Sequence, residues 1–199
     1  MIFRHGAPIT LVVALLCGEQ AMAQSAPTFT GPRAELTAGW DQLRFNLADA
    51  GSSGHAKSDG LTYGGALGYD YAVSPTVIIG GEVSLTNANV NLDYTDALTA
   101  SSVRGRRDIG VAARLGTKVT DNAILYAKVG YSNLQVRNES TLAAGAVTDN
   151  YRDLSGLVTG AGAEVALSKR YYLKTEYDHS SYEDHVSENK ILTGFGIRF

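Results

Sequence analysis

The last nine residues, Ile191-Leu192-Thr193-Gly194-Phe195-Gly196-Ile197-Arg198-Phe199, decide how the chain is to be read. Chain ends ordinarily trail into polar, loosely held residues. This one alternates to its final residue. Ile191, Thr193, Phe195, Ile197 and Phe199 share one face, and Leu192, Gly194, Gly196 and Arg198 share the other. A period of two is that of a β-strand whose faces meet different surroundings. An arginine set between Ile197 and Phe199 asks for an apolar medium on one side and a polar one on the other.

The same alternation recurs upstream, and no stretch after the first thirty or so residues has a helical period. Strands are expected at Arg33–Leu43, Gly60–Tyr71, Val77–Thr86, Val103–Lys118, Ala123–Gln135, Tyr151–Leu167, Tyr171–Tyr182 and Lys190–Phe199. The connections alternate in length. Ala72–Thr76, Val119–Asn122 and Ser168–Arg170 are short and carry turn residues. Arg44–Asp59, Asn87–Ser102, Val136–Asn150 and Glu183–Asn189 are longer, polar, and read as loops. Tight turns at one end, with both chain termini, and long connections at the other are the asymmetry of outer-membrane barrels. The expected fold is therefore all-β: an eight-stranded antiparallel transmembrane β-barrel over residues 24–199.

Composition agrees. The chain has 199 residues, with 17 basic and 20 acidic, which gives no polycationic surface for nucleic acid. Mean hydropathy is −0.07, which excludes a helical membrane protein. The first residues stand apart. Arg4 and His5 precede an apolar run, Ala7 to Leu16, and Ala21-Met22-Ala23 forms an A-x-A site before Gln24. This is the layout of a secretory signal peptide, expected over residues 1–23. The run is too short to span a bilayer as a helix. The one cysteine, Cys17, lies within that leader, and the large Leu16 before it argues against lipidation.

Alternation by itself does not say which face is inside. One face collects Leu36, Trp40, Leu67, Val83, Val111, Val129, Leu157 and Phe195, with little charge. The other carries Glu35, Asp70, Glu82, Arg114, Lys118, Lys128, Glu164, Lys174, Glu176 and Arg198 among many glycines. Five acids and five bases suit mutual neutralisation in a confined lumen. Trp40, Tyr69, Tyr71, Tyr126, Tyr171, Tyr172 and Tyr182 fall towards strand ends, where an interfacial aromatic girdle is expected. The apolar set is thus expected to face lipid and the ionised set to face inward, with Glu82, Arg114, Lys128, Glu164 and Glu176 in an interior ion-pair network. Eight strands leave an interior that side chains can fill, so this network reads as a plug before it reads as an ion path.

The terminal phenylalanine, with neutral or apolar residues at every second position before it, resembles the assembly signal of Gram-negative outer-membrane barrels. Glu176-Tyr177-Asp178-His179 and Gly194-Phe195-Gly196-Ile197-Arg198-Phe199 resemble the last hairpin of small opacity-protein-like "porin family" barrels. Those commonly read Glu-Tyr-Arg-Tyr, a loop, and a Gly-hydrophobic-x-Tyr-Arg-Phe ending. Here Asp178 replaces the arginine and Ile197 the tyrosine. The resemblance implies a cell outer membrane location. It also implies partners in outer-membrane lipid and lipopolysaccharide, and in the barrel assembly machinery through Phe199. The long loops are the place for a host or extracellular ligand.

Sites with chemistry are few. His179-Ser180-Ser181 is an H-x-S pair, and lipid A deacylases are eight-stranded barrels with such a pair. A serine hydrolase needs a base at the nucleophile and a group to orient that base. Those deacylases take their acid from the final strand, where Leu192–Gly194 here holds none, and Glu183 sits at the loop. The remaining mature histidines, His55 and His185, have no Cys partners or ligand spacing for metal, and as loop residues are poor grounds for haem capture. The glycine runs at Gly64 and Gly160 lie inside strands with no following helix, so a nucleotide loop fails its structural test. No catalytic, cofactor-binding or metal residue is therefore expected. The expected role is that of a non-enzymatic envelope barrel, structural or surface-interacting. The alternatives are a narrow channel, a lipid A-modifying hydrolase or a haem-binding surface protein.

Overall fold

The computed structural model describes residues 29–46, 55–96, 99–142, 147–183 and 186–199. The expected leader over residues 1–23 lies outside them. Eight strands follow in order: β1 Gly31–Asn46, β2 His55–Ala72, β3 Val77–Asp96, β4 Thr99–Thr120, β5 Ala123–Leu142, β6 Val147–Ala166, β7 Tyr171–Tyr182 and β8 Val186–Arg198. Each pairs with its sequence neighbour in antiparallel register, and β8 closes on β1 through Leu36↔Phe195 and Trp40↔Ile191. Closure pairs both edges of every strand through the part of the wall that all eight strands share, the condition for a sheet to cross lipid.

The tight turns are built by short polar side chains. Ser74 Oγ accepts the N–H groups of Thr76 at 3.3 Å and Val77 at 3.0 Å, and Ser168 Oγ accepts that of Tyr171 at 3.1 Å. At the same end Phe199 N–H donates to the Pro32 carbonyl at 2.9 Å. There β1 begins at Gly31 with φ of +124°, and a Cβ would stand 2.6 Å from the Phe199 carbonyl oxygen. Only glycine starts a strand there without strain.

The other ends differ from expectation. The segments read as long loops are largely strand. β3 runs on to Asp96, β4 starts at Thr99, β5 runs on to Leu142 and β6 starts at Val147. His55, expected in a loop, is the first residue of β2 and pairs with Asn46. β3 to β6 have 20, 22, 20 and 20 residues, against 12 and 13 for β7 and β8. A tilted barrel strand climbs about 2.5 Å per residue along the axis, so the apolar band of about 25 Å uses about ten residues. Half of each long strand therefore stands beyond the band, on the side away from the tight turns.

The wall itself marks where the band ends. Facing outward, Trp40 gives way to Gln42, Leu85 to Asn87, Ile109 to Arg107, Tyr131 to Asn133, Leu157 to Ser155, and Ile191 to Asn189. Above this line polar pairs bridge neighbouring strands: Gln42 to Asp59 at 2.9 Å, Asn133 to Ser155 at 3.2 Å, Gln135 to Asp153 at 3.0 Å. Below it the wall is apolar and exposed, with Leu36 at 74 % and Leu67 at 67 %, as lipid contact requires.

Candidate functional site

Among the described residues two places gather chemistry: the lumen and a polar cluster at the outer rim of the wall.

The lumen is packed in three layers. Towards the tight turns, Phe29 reaches in from ahead of β1 and packs with Ile78, Ile124 and Tyr126. The guanidinium of Arg198 and the ammonium of Lys118 lie 5.4 and 5.5 Å from the Phe29 ring centre. At mid-height the expected ion-pair network is present and larger than expected. Arg33 reaches Glu35 at 3.0 Å, Asp70 at 3.3 Å and Glu82 at 2.5 Å. Arg114 reaches Asp70 at 2.8 Å and Glu164 at 3.0 Å, and Arg198 reaches the same two at 2.8 and 2.9 Å. Lys128 is held by Glu176 at 2.7 Å, Asp178 at 2.9 Å and Glu82 at 3.2 Å, and Lys174 pairs with Glu35 and Glu176. Every member is buried, so each charge is tolerable only because a partner compensates its lost hydration. Further out Lys190 joins Asp108 and Glu188. Above them Leu43, Leu134, Leu154, Tyr182 and Val186 close the interior with an apolar layer. A cavity of about 40 Å³, room for two or three waters, lies among the charges.

Three of the expected girdle residues are here instead. Tyr126, Tyr172 and Tyr182 point inward, buried, and donate to carboxylates: Tyr126 to Glu176 at 2.6 Å, Tyr172 to Glu35 and Tyr182 to Glu188 at 2.9 Å each. Each lies over the glycine directly opposite on the next strand: Gly162, Gly196 and Gly156. A Cβ on any of the three would enter the ring. This explains much of the lumenal glycine: a flat aromatic needs a bare backbone beside it when the barrel is this narrow. The outward aromatics Trp40, Tyr69, Tyr71 and Tyr171 remain exposed on the wall, and Tyr171 stacks on Phe195 at 5.7 Å. Arg198 points into the lumen and Phe199 lies exposed outside it, as the alternation required.

On the wall, His179 and Ser181 share the outward face of β7, and the β7–β8 register places Asn189 opposite His179. Ser181 Oγ lies 3.3 Å from His179 Nε2, and His179 Nδ1 lies 2.9 Å from Asn189 Oδ1. The Tyr177 hydroxyl also donates to Asn189 Oδ1, at 2.7 Å. Leu192–Gly194 lies farther along β8 and holds no acid; the residue opposite His179 is the amide Asn189. Glu183 is exposed beyond the end of β7. His185 lies outside the described residues. Gly64 and Gly160 sit in strands β2 and β6. Among the described residues no group of three His, Cys, Asp or Glu could hold a metal ion.

A closed eight-stranded sheet with an apolar outer band, a charged and packed interior, and the start of β1 and the end of β8 beside the tight turns defines an integral outer-membrane β-barrel. Comparison with known proteins names the family. The outer membrane protein beta-barrel domain matches residues 9–199, and the chain belongs to that family. It is 25% identical to the 31 kDa outer-membrane immunogenic protein of Brucella melitensis over 162 residues, covering 70% of this chain and 67% of the relative. Among solved structures it superposes on neisserial surface protein A with a TM-score of 0.60 at 16% identity, covering 85% of this chain and 98% of the other. It also superposes on Ail, the attachment invasion locus protein of Yersinia pestis, with a TM-score of 0.56 at 17% identity, covering 85% and 99%. At those identities the likeness is one of fold. The protein is located in the outer membrane.

Proposed function

We propose that the protein is a non-conducting envelope barrel whose role is structural and surface-presenting, with the tall β3–β6 wall as the face offered to the outside. The packing of the lumen carries this reading. An ion path needs continuous water, and here apolar layers at Phe29 and at Leu134 flank an ion-pair network around a cavity of about 40 Å³. The strand extensions supply the second half. They leave the band as paired β-structure and so present a stiff surface, where free loops would offer a mobile one. Relatives that are named as an immunogenic protein and an attachment protein favour a surface role. The lipid partners in this reading are the acyl chains of the outer membrane and lipopolysaccharide against the exposed band. Phe199 is the mark read by the assembly machinery.

Planar-bilayer recording of the purified full chain tests the central point. No stable single-channel steps are expected at salt concentrations where open barrels conduct. Reproducible steps would replace this reading with a narrow channel.

A further inference from the structure

We propose that Ser181, His179 and Asn189 form an acyl-transfer site on the outer wall, directed at ester bonds of lipids in the surrounding leaflet. The inference does not rest on the surface-presenting role, and neither excludes the other.

The geometry assigns each part. Asn189 Oδ1 can only accept a hydrogen bond, so His179 carries its proton on Nδ1 and turns the Nε2 lone pair towards Ser181 Oγ, 3.3 Å away. That is the tautomer of a general base. Tyr177, donating to the same oxygen at 2.7 Å, holds the amide in the orientation that keeps Oδ1 on the imidazole. Nucleophile, base and orienter are thus in line, with a neutral amide in third place as in Cys-His-Asn sites.

The location supplies the substrate class. All of these side chains face the lipid side of the sheet, and Ser181 is exposed. Ten residues separate Ser181 from Tyr171 at the inner rim, about 25 Å along the axis, the height of the apolar band. Ser181 also pairs with Leu157, the last outward apolar residue of β6 before Ser155. The hydroxyl therefore sits where acyl chains meet head groups, which is where ester linkages lie. A barrel wall inside the bilayer holds that substrate class at very high local concentration without a pocket.

The step balances with water as the second reactant. Ser181 Oγ bonds to the ester carbonyl carbon while its proton passes to His179 Nε2. The carbon–oxygen bond of the ester breaks, and the leaving alkoxide takes that proton. Water, deprotonated by the same imidazole, then cleaves the acyl-serine to a free fatty acid and restores the hydroxyl.

The full chain refolded into vesicles tests this, in phosphatidylethanolamine alone and in phosphatidylethanolamine with lipopolysaccharide, with released fatty acids identified by mass. Release in the first arm assigns phospholipid esters, and release of 3-hydroxyacyl chains only in the second assigns the glycolipid. In either case Ser181→Ala and His179→Gln are expected to fall to the vesicle background, and Asn189→Asp to raise the rate about tenfold by stabilising the imidazolium with a charge. An alkyl fluorophosphonate should label Ser181 of the unaltered protein, a readout that holds even if a variant fails to fold. Release no greater than that of Ser181→Ala in both arms, or no label on Ser181, would overturn the proposal.

Discussion

Lys128 is the place to test whether the lumen is as dry as its packing implies. Its ammonium touches three carboxylates, Glu82, Glu176 and Asp178, at 3.2, 2.7 and 2.9 Å. Methionine at this position keeps most of the volume and removes only the charge, so cavity formation adds little. The three acids then fare differently. Glu82 retains Arg33 at 2.5 Å, and Glu176 retains the Tyr126 hydroxyl at 2.6 Å and Lys174 at 3.4 Å. Asp178 loses the lysine that compensates it, while buried. Stranding one member of a buried pair costs about 3–5 kcal/mol. With a urea slope of about 2 kcal/mol per molar, the unfolding midpoint of Lys128→Met should fall by about 1.5–2.5 M. Removing the stranded charge as well, in Lys128→Met with Asp178→Asn, should recover most of that loss, because the double change deletes both halves of the pair. The assay is urea titration in lipid vesicles, with the folded fraction read from the altered gel mobility of an unboiled barrel. A Lys128→Met midpoint within about 0.3 M of the parent, at unchanged slope, would refute the reasoning, since it would mean that lumenal water screens these charges as it does surface pairs.

Two further outcomes follow from the packing of the wall and the chain end. Gly162→Ala should lower the urea midpoint by the equivalent of about 1–3 kcal/mol, because the new methyl enters the Tyr126 ring, whereas Gly81→Ala should leave it unchanged, having 3.8 Å to its nearest neighbour on the outer wall. Deleting Phe199, which is exposed and whose N–H bonds to Pro32, should slow assembly in cells far more than refolding in detergent, as measured by pulse-labelled appearance of the folded band; equal slowing in both would remove its role as an assembly mark.

The fold was legible because lipid writes a clean period of two into any strand that crosses it. Where the lipid ends, so does the signal. Beyond Leu85 on β3 and before Ile109 on β4 the outward positions turn from apolar to polar, at Asn87 and Arg107, and the contrast that marks a lipid-crossing strand is lost. The Asn87–Ser102 and Val136–Asn150 segments therefore read as loops, although they pair residue by residue through Asp93↔Ser102 and Glu139↔Asp149. What marks them as strand is backbone pairing continued from below, which leaves no trace in side-chain polarity.

The lumenal tyrosines read as girdle residues for a different reason, one that the sequence itself can resolve. Aromatic character suits a membrane girdle and a narrow lumen equally, so residue type cannot separate them; parity can. Tyr126 lies between Leu125 and Ala127, Tyr172 between Tyr171 and Leu173, and in each case the flanking residues belong to the lipid face. The glycines opposite them carry the complementary mark, since a ring laid across a barrel interior and a missing Cβ on the next strand answer one steric demand. Register is the step that parity does not supply. Which residue of β8 faces His179 depends on where the hairpin turns, and a connection over Glu183–Asn189 leaves Asn189 outside the strand. With β7 ending at Tyr182 and β8 beginning at Val186, positions 179 and 189 must meet. The same short hairpin that closes the barrel thereby brings an amide to the histidine and completes the line from Asn189 to Ser181.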